Sequence, residues 1–288
     1  MLAWGAAYVP SAWLVETWPP LSAAGARLGL AGLILLLALK VLGRPLRPGV
    51  RITTIGWLAL TQSVLFYGAT FWGILHAGAG LAAVLANTDP LFVAALASVV
   101  LGEYLTGRQW TGLAVGLVGA TVVVWQGPLW PPEVSGAAVI VVAGAFAWSV
   151  GTVVATRGMR GAANPVALAA WQMALGGLVL LVIGSLFEDG PPPFGPREIA
   201  LILGIAIVGG AIPFALFYLA LARAPATQVS TWFFLIPVVG VLSAWLLLGE
   251  QPTARLVVGL AAVSVGLWLV LAIRAPQEEL LVDSAPPQ

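Results

Sequence analysis

The chain has 288 residues, 60% hydrophobic and 8% charged, with a net charge of +1. Soluble domains carry roughly 25% charged residues, so this composition excludes a water-facing surface and makes lipid the solvent. The absence of cysteine, a single histidine (His76) and a single lysine (Lys40, followed by Val41) exclude disulfides, thiolate or His-rich metal sites and a Walker-type phosphate loop.

Ten apolar segments follow in order, each near the ~20 residues that cross ~30 Å of hydrocarbon. They are Leu2–Glu16, Ser22–Leu42, Thr53–His76, Leu81–Leu101, Arg108–Gln126, Val134–Thr156, Pro165–Phe187, Glu198–Ala222, Thr227–Leu248 and Thr253–Ile273. Turn-rich stretches separate them, such as Trp18-Pro19-Pro20, Gly43-Arg44-Pro45 and Gly190-Pro191-Pro192-Pro193. Lipid cannot satisfy a bare backbone, so each span is expected to be helical. No basic leader precedes the first segment, so no cleavable signal is expected. Only three residues precede Trp4-Gly5, so either the start is truncated or this helix ends shallow in the bilayer. The polar, Pro-rich residues 275–288 are expected to be a disordered tail.

Lysine and arginine set the orientation. With the N-terminus cytoplasmic, the inner side holds Lys40, Arg44, Arg47, Arg51, Arg108, Arg157, Arg160, Arg223 and Arg274. Arg197, Arg255 and Arg27 are left for the outer side or the second helix. Both termini, and the tail, are therefore expected in the cytoplasm.

Shifted by 147 positions, the stretch from Ala77 to Gly119 returns without a gap. Ala77 falls on Ala224, Pro90 on Pro237, Leu101-Gly102-Glu103 on Leu248-Gly249-Glu250, Thr106 on Thr253 and Gly112 on Gly259. Earlier positions correspond loosely: Trp4-Gly5 with Trp148-Ser149 and Arg27 with Gln172. Five helices per half is an odd number, so the second half must enter the membrane the opposite way up. The expected fold is an all-α integral membrane protein of ten transmembrane helices in two inverted five-helix repeats, residues 1–127 and 128–274. A substrate site is expected at their interface near mid-bilayer.

Several side chains invite a functional reading. Trp4/Tyr8, Trp148/Thr152, Tyr67/Phe71, Phe214/Tyr218 and Gln228/Trp232 pair at i, i+4 on segments that correspond between the halves. Aromatic rings with a few polar groups suit a flat, partly apolar substrate, against the plainer reading of packing or lipid contact. The expected lining is Trp4, Tyr8, Tyr67, Phe71, Asn87, Asp89, Trp148, Thr152, Gln172, Tyr218, Gln228 and Trp232. Pro90 and Pro237 are expected to kink or gate their helices. Asp89 lies about ten residues from either end of the fourth segment, where a carboxylate is rare and by default functional. It suits a group that binds a proton or accepts a substrate amine; a structural Asp89–Arg27 pair is the alternative. Glu103 and Glu250 read as tight-turn residues ahead of the helix caps Thr106 and Thr253. Trp18, Trp57, Trp110 and Trp130 read as boundary-belt residues. The Gly25/Gly29 and Gly112/Gly116 spacings read as internal packing.

These motifs, Trp4-Gly5, Arg27-Leu28, Pro90 and Leu101-Gly102-Glu103 with their second-half copies, resemble the drug/metabolite transporter superfamily. Within it the whole chain resembles EamA-type ten-helix exporters, aromatic amino-acid exporters being the nearest likeness. The chain departs from the pattern in its short first helix and in Asp89, where the family more commonly has a small neutral residue. The resemblance implies a secondary transporter of small metabolites in a bacterial inner membrane. A nucleotide-sugar or phosphate antiporter and a passive facilitator remain alternatives of the same fold. No protease, hydrolase or metal-cluster motif supports an enzyme. The expected partners are a small-molecule substrate and the bilayer, with no nucleic acid and no cofactor. A monomer is expected, with a dimer left open.

Overall fold

The computed structural model describes residues 1–100, 105–126, 133–159, 164–189, 192–223, 233 and 235–271. The expected features at Glu103, Trp130, Gln228, Trp232 and the 275–288 tail lie outside them. Ten helical segments occur among the described residues. They are α1 (Leu2–Val15), α2 (Pro20–Val41), α3 (Ile52–Ala77), α4 (Ala79–Val100), α5 (Gly107–Val124), α6 (Gly136–Met159), α7 (Pro165–Phe187), α8 (Pro196–Leu221), α9 (Ile236–Leu248) and α10 (Ala254–Leu271). Of these, α2, α3, α4, α6, α7 and α8 are long and apolar enough to cross a membrane. The rest is irregular, apart from a two-residue antiparallel pairing of Trp125–Gln126 with Glu133–Val134.

Helix ends follow local chemistry. Pro20, Pro165 and Pro196 open α2, α7 and α8 at positions whose backbone donors have no helical partner anyway. Asn164 caps α7 by accepting from Val166 N and Ala167 N. Thr106 and Gln109 cap α5 reciprocally: Gln109 Oε1 accepts from Thr106 N at 2.9 Å, and Thr106 Oγ1 accepts from Gln109 N. Thr253 Oγ1 accepts from Leu256 N at the start of α10. The sequence reading leaves a gap from Ala77 to Gly80 between the third and fourth segments. The structure closes it to one residue, because Gly78 adopts φ +87° and turns the corner alone.

Two helix pairs are pressed together through glycine. A Cβ on Gly25 of α2 would sit 2.8 Å from Leu181 N of α7, and one on Gly112 of α5 would sit 2.7 Å from Gly266 O of α10. Both glycine stripes are thus taken up by contacts inside the chain. Three π-turns occur among the described residues, in α3 at Ala59–Leu65, in α8 at Ile207–Ala211 and in α9 at Ala244–Leu248; the 147-residue shift brings the first two into overlap.

Two carboxylates fasten distant helices. Glu188, just past α7, accepts from Leu21 N at 2.6 Å, Ser22 N at 2.9 Å and Ser22 Oγ at 2.7 Å at the start of α2. Glu250, just past α9, accepts from Ala79 N at 2.8 Å and Gly80 N at 2.9 Å at the start of α4. The turn expected at Gly249-Glu250 is present, with Gly249 at φ +70°. The Glu250 carboxylate, however, serves another helix and not its own turn, since the positive end of α4 lies within its reach. Trp57 and Trp110 are more than half exposed, as belt residues should be. Trp18 differs: it is buried, and its Nε1 donates to Pro193 O at 2.7 Å.

Candidate functional site

α4 is broken where the sequence places Asp89-Pro90. Pro90 has no N–H to give to the preceding turn, and the helix stops at Ala86 and resumes at Asp89. Side chains bond to carbonyls around the break: Asn87 Nδ2 donates to Ala83 O, Thr88 Oγ1 to Leu85 O, and Ser149 Oγ of α6 to Asp89 O at 2.9 Å. Asn87 and Asp89 are both buried at this break. Pro237 lies in the first described turn of the ninth helix, so any bend ahead of it falls outside the described residues.

The break opens on a cavity of about 50 Å³ between both halves of the chain. α1 contributes Trp4, Tyr8 and Ser11; α2 Arg27; α3 Phe66, Tyr67, Thr70 and Phe71; α4 Asn87 and Asp89; α6 Trp148; the start of α9 contributes Ile236, and Phe233 ahead of α9 completes the wall. Ile236 is the repeat counterpart of Asp89, so equivalent positions face one space with opposite chemistry. A larger furrow of about 770 Å³ lies near Glu250. It is lined mainly by small and apolar residues at helix ends.

One end of the cavity is an aromatic cluster. Trp4 meets Trp148, Phe214, Phe217 and Phe233 edge-on at centroid separations of 5.5–6.5 Å, a geometry suited to the ring quadrupoles. Arg27 lies deeper. Its Cζ stands 4.7 Å from the Tyr67 ring centroid and 5.7 Å from that of Phe71, and its Nη2 donates to Gly209 O at 2.6 Å. Gly209 belongs to the π-turn of α8, and such turns recur at functional sites. The alternative of an Asp89–Arg27 pair does not hold. Arg27 and Asp89 form no ion pair, whereas Arg197 and Glu16 do at 3.2 Å, and Asp89 Oδ2 has no hydrogen-bond partner.

Of the expected lining, Trp4, Tyr8, Tyr67, Phe71, Asn87, Asp89 and Trp148 come together here. Thr152, Gln172 and Tyr218 do not line the cavity. They join a neighbouring cluster organised by the π-turn of α3, which carries Gln62 and Ser63. Tyr218 OH donates to Gln62 Oε1 at 2.7 Å, Gln62 Nε2 to Thr152 Oγ1 at 3.3 Å, and Ser63 Oγ to Gln172 Oε1 at 2.7 Å. Helical spacing alone cannot separate the two groups, because the partners that draw these side chains together sit on other helices. The sequence reading passed over Gln62, Ser63 and Phe233. The polar run Thr61-Gln62-Ser63 inside an apolar span was the available signal for the first two.

Three comparisons bear on identity. The EamA-like transporter family matches residues 1–125 and 135–272. An uncharacterized transporter of Synechocystis is 30% identical over 93% of this chain and 86% of its own length. A probable amino-acid metabolite efflux pump of Salmonella typhimurium is 26% identical over 93% and 91%. A WAT1-related chloroplastic protein of Arabidopsis thaliana is 28% identical over 93% of this chain and 66% of its own length. A solved crystal structure, 17% identical, superposes with a TM-score of 0.66 over 94% of this chain and 95% of that one, and so shares the fold. The chain is a multi-pass membrane protein, a transporter and not an enzyme, and it belongs to the EamA-like transporter family.

Proposed function

We propose that the protein is a secondary active transporter that exports small metabolites from the cytoplasm by alternating access. Amino acids with aromatic or other apolar side chains are the foremost candidates. The observation that carries this reading is the cavity between the halves, walled by Trp4, Phe66, Tyr67, Phe71, Trp148 and Phe233 and carrying Arg27 and Asp89. Rings supply contact area for an apolar side chain, and the few polar groups supply orientation. At about 50 Å³ the cavity is far below the ~300 Å³ of a typical ligand pocket, so the walls must part to admit a substrate. The name of the Salmonella relative, an amino-acid metabolite efflux pump, agrees with this substrate class. A nucleotide-sugar or phosphate antiporter would need several buried cations, and among the described lining residues Arg27 is the one cation.

The proposal includes ten spans in two inverted halves, 1–127 and 128–274, with both termini in the cytoplasm of a bacterial inner membrane. The overlapping π-turns and the Lys/Arg distribution support it. Cysteines introduced at Gly43 and Gly161 should react with an impermeant reagent only from the cytoplasmic side; labelling from outside intact cells would refute the topology. Counterflow in proteoliposomes should be strongest with L-phenylalanine or L-leucine and weak with sugars or phosphate. Accumulation against a gradient distinguishes this from a facilitator.

A further inference from the structure

Three of the four buried side-chain atoms that lack a hydrogen-bond partner among the described residues belong to the cavity lining: Trp4 Nε1, Arg27 Nε and Asp89 Oδ2. Two are donors and one is an acceptor. The residues are 8%, 4% and 2% exposed, so water outside the protein does not serve them. A buried polar atom left without a partner is costly, and here an acidic and a basic side chain share one small space without pairing with each other. Each is held apart by its own surroundings. The Arg27 guanidinium is fixed by Gly209 O and the Tyr67 face. The Asp89 backbone is fixed by Ser149 and the Pro90 break. Their unpaired atoms are left to whatever fills the cavity.

We infer that the cavity reads both poles of a zwitterion, Asp89 Oδ2 accepting from the ammonium group and Arg27 Nε with Trp4 Nε1 donating to the carboxylate of one small molecule. This rests on the exporter reading above and sharpens it, because it assigns each pole of the substrate to named atoms. A ligand carrying both charges offers a partner to the free atoms of both groups at once. An amine or an acid alone serves one and leaves the other without a ligand partner. The rings lining the same cavity take the apolar side chain, so the selected class is free α-amino acids with apolar side chains, not their amides, esters or N-acyl forms.

The test measures binding as the ligand concentration that half-saturates thermal stabilisation of the purified protein. L-phenylalanine carries both poles, 2-phenylethylamine lacks the carboxylate and 3-phenylpropionate lacks the amine. The wild type should bind L-phenylalanine at least tenfold more tightly than either one-pole analogue. Asp89→Asn should weaken L-phenylalanine to the level of 3-phenylpropionate and leave the latter within twofold. Arg27→Gln, the residue at the corresponding position of the second half, should weaken it to the level of 2-phenylethylamine. Equal binding of the analogues to the wild type, or equal weakening of all three ligands by each variant, overturns the inference. The wild-type series decides even where a variant fails to fold. Counterflow of L-phenylalanine without tenfold preference keeps the exporter and overturns the two-pole site. Tenfold preference without counterflow upholds the site and removes the exporter.

Discussion

The cavity and the cluster around Gln62 both hold buried polar residues and share helices α3 and α6, yet they differ in how those residues are satisfied. Around Gln62, the amide, the Tyr218 and Thr152 hydroxyls and Ser63 are all paired, and only Gln172 Nε2 lacks a partner. In the cavity an indole, a guanidinium and a carboxylate each keep an unpaired atom. Polarity inside a membrane span is therefore no mark of a site by itself. Satisfaction separates the groups that hold the fold from those that wait for a ligand.

Breaking the wall the two regions share should have the greatest effect. Trp148 lines the cavity with its ring and accepts from Thr152 through its carbonyl, and its ring touches those of Trp4, Phe66, Phe214 and Phe217. Trp148→Ala should cost ~3–5 kcal/mol of stability, seen as a large fall in Tm in detergent. Gln62→Leu should cost about 2 kcal/mol, because it strands the Tyr218 hydroxyl in an apolar interior. Its transport per folded molecule should stay near wild type, which sets it apart from any lining substitution. Asp89→Asn should do the reverse. Its Oδ2 has no partner to lose and an amide brings no charge into the interior, so stability should not fall, while substrate binding falls at least tenfold, about 1.4 kcal/mol. The profile of transport from pH 5 to 8 should also change shape, since a titratable group has been removed from the substrate's path. Glu250→Gln touches neither region and should cost about 1 kcal/mol or less, the usual scale of a charge at a helix N-terminus. A loss as large as that of Gln62→Leu would mean that Glu250 does more than cap α4.

The helices were legible because lipid leaves the backbone no other choice, and the break at Asp89-Pro90 because proline removes a donor wherever it stands. Asp89 itself stood out for the same reason: a carboxylate in mid-span is costly. What escaped the sequence depends on how helices distant in the chain meet. Asp89 and Arg27 were natural partners by charge, but the π-turn of α8 offers Arg27 a carbonyl and removes the pair. The roles of Glu188 and Glu250 required knowing which helix starts lie beside them, about 170 positions away in sequence. Thr152 and Tyr218 face Gln62 rather than the cavity, a meeting of three helices that spacing along one helix does not encode.

The two capping carboxylates also bear on the order of synthesis. The starts of α2 and α4 are made early, whereas Glu188 and Glu250 are 166–171 residues later in the chain than the groups they accept from. At ~5–20 residues per second, a nascent chain waits about ten to thirty seconds between exposing each helix start and receiving its cap. During that interval the bare N–H groups at both starts, and the glycine faces of α2 and α5, must be tended by headgroup water or by the insertion machinery. Ribosome pausing after α5 would prolong that exposure.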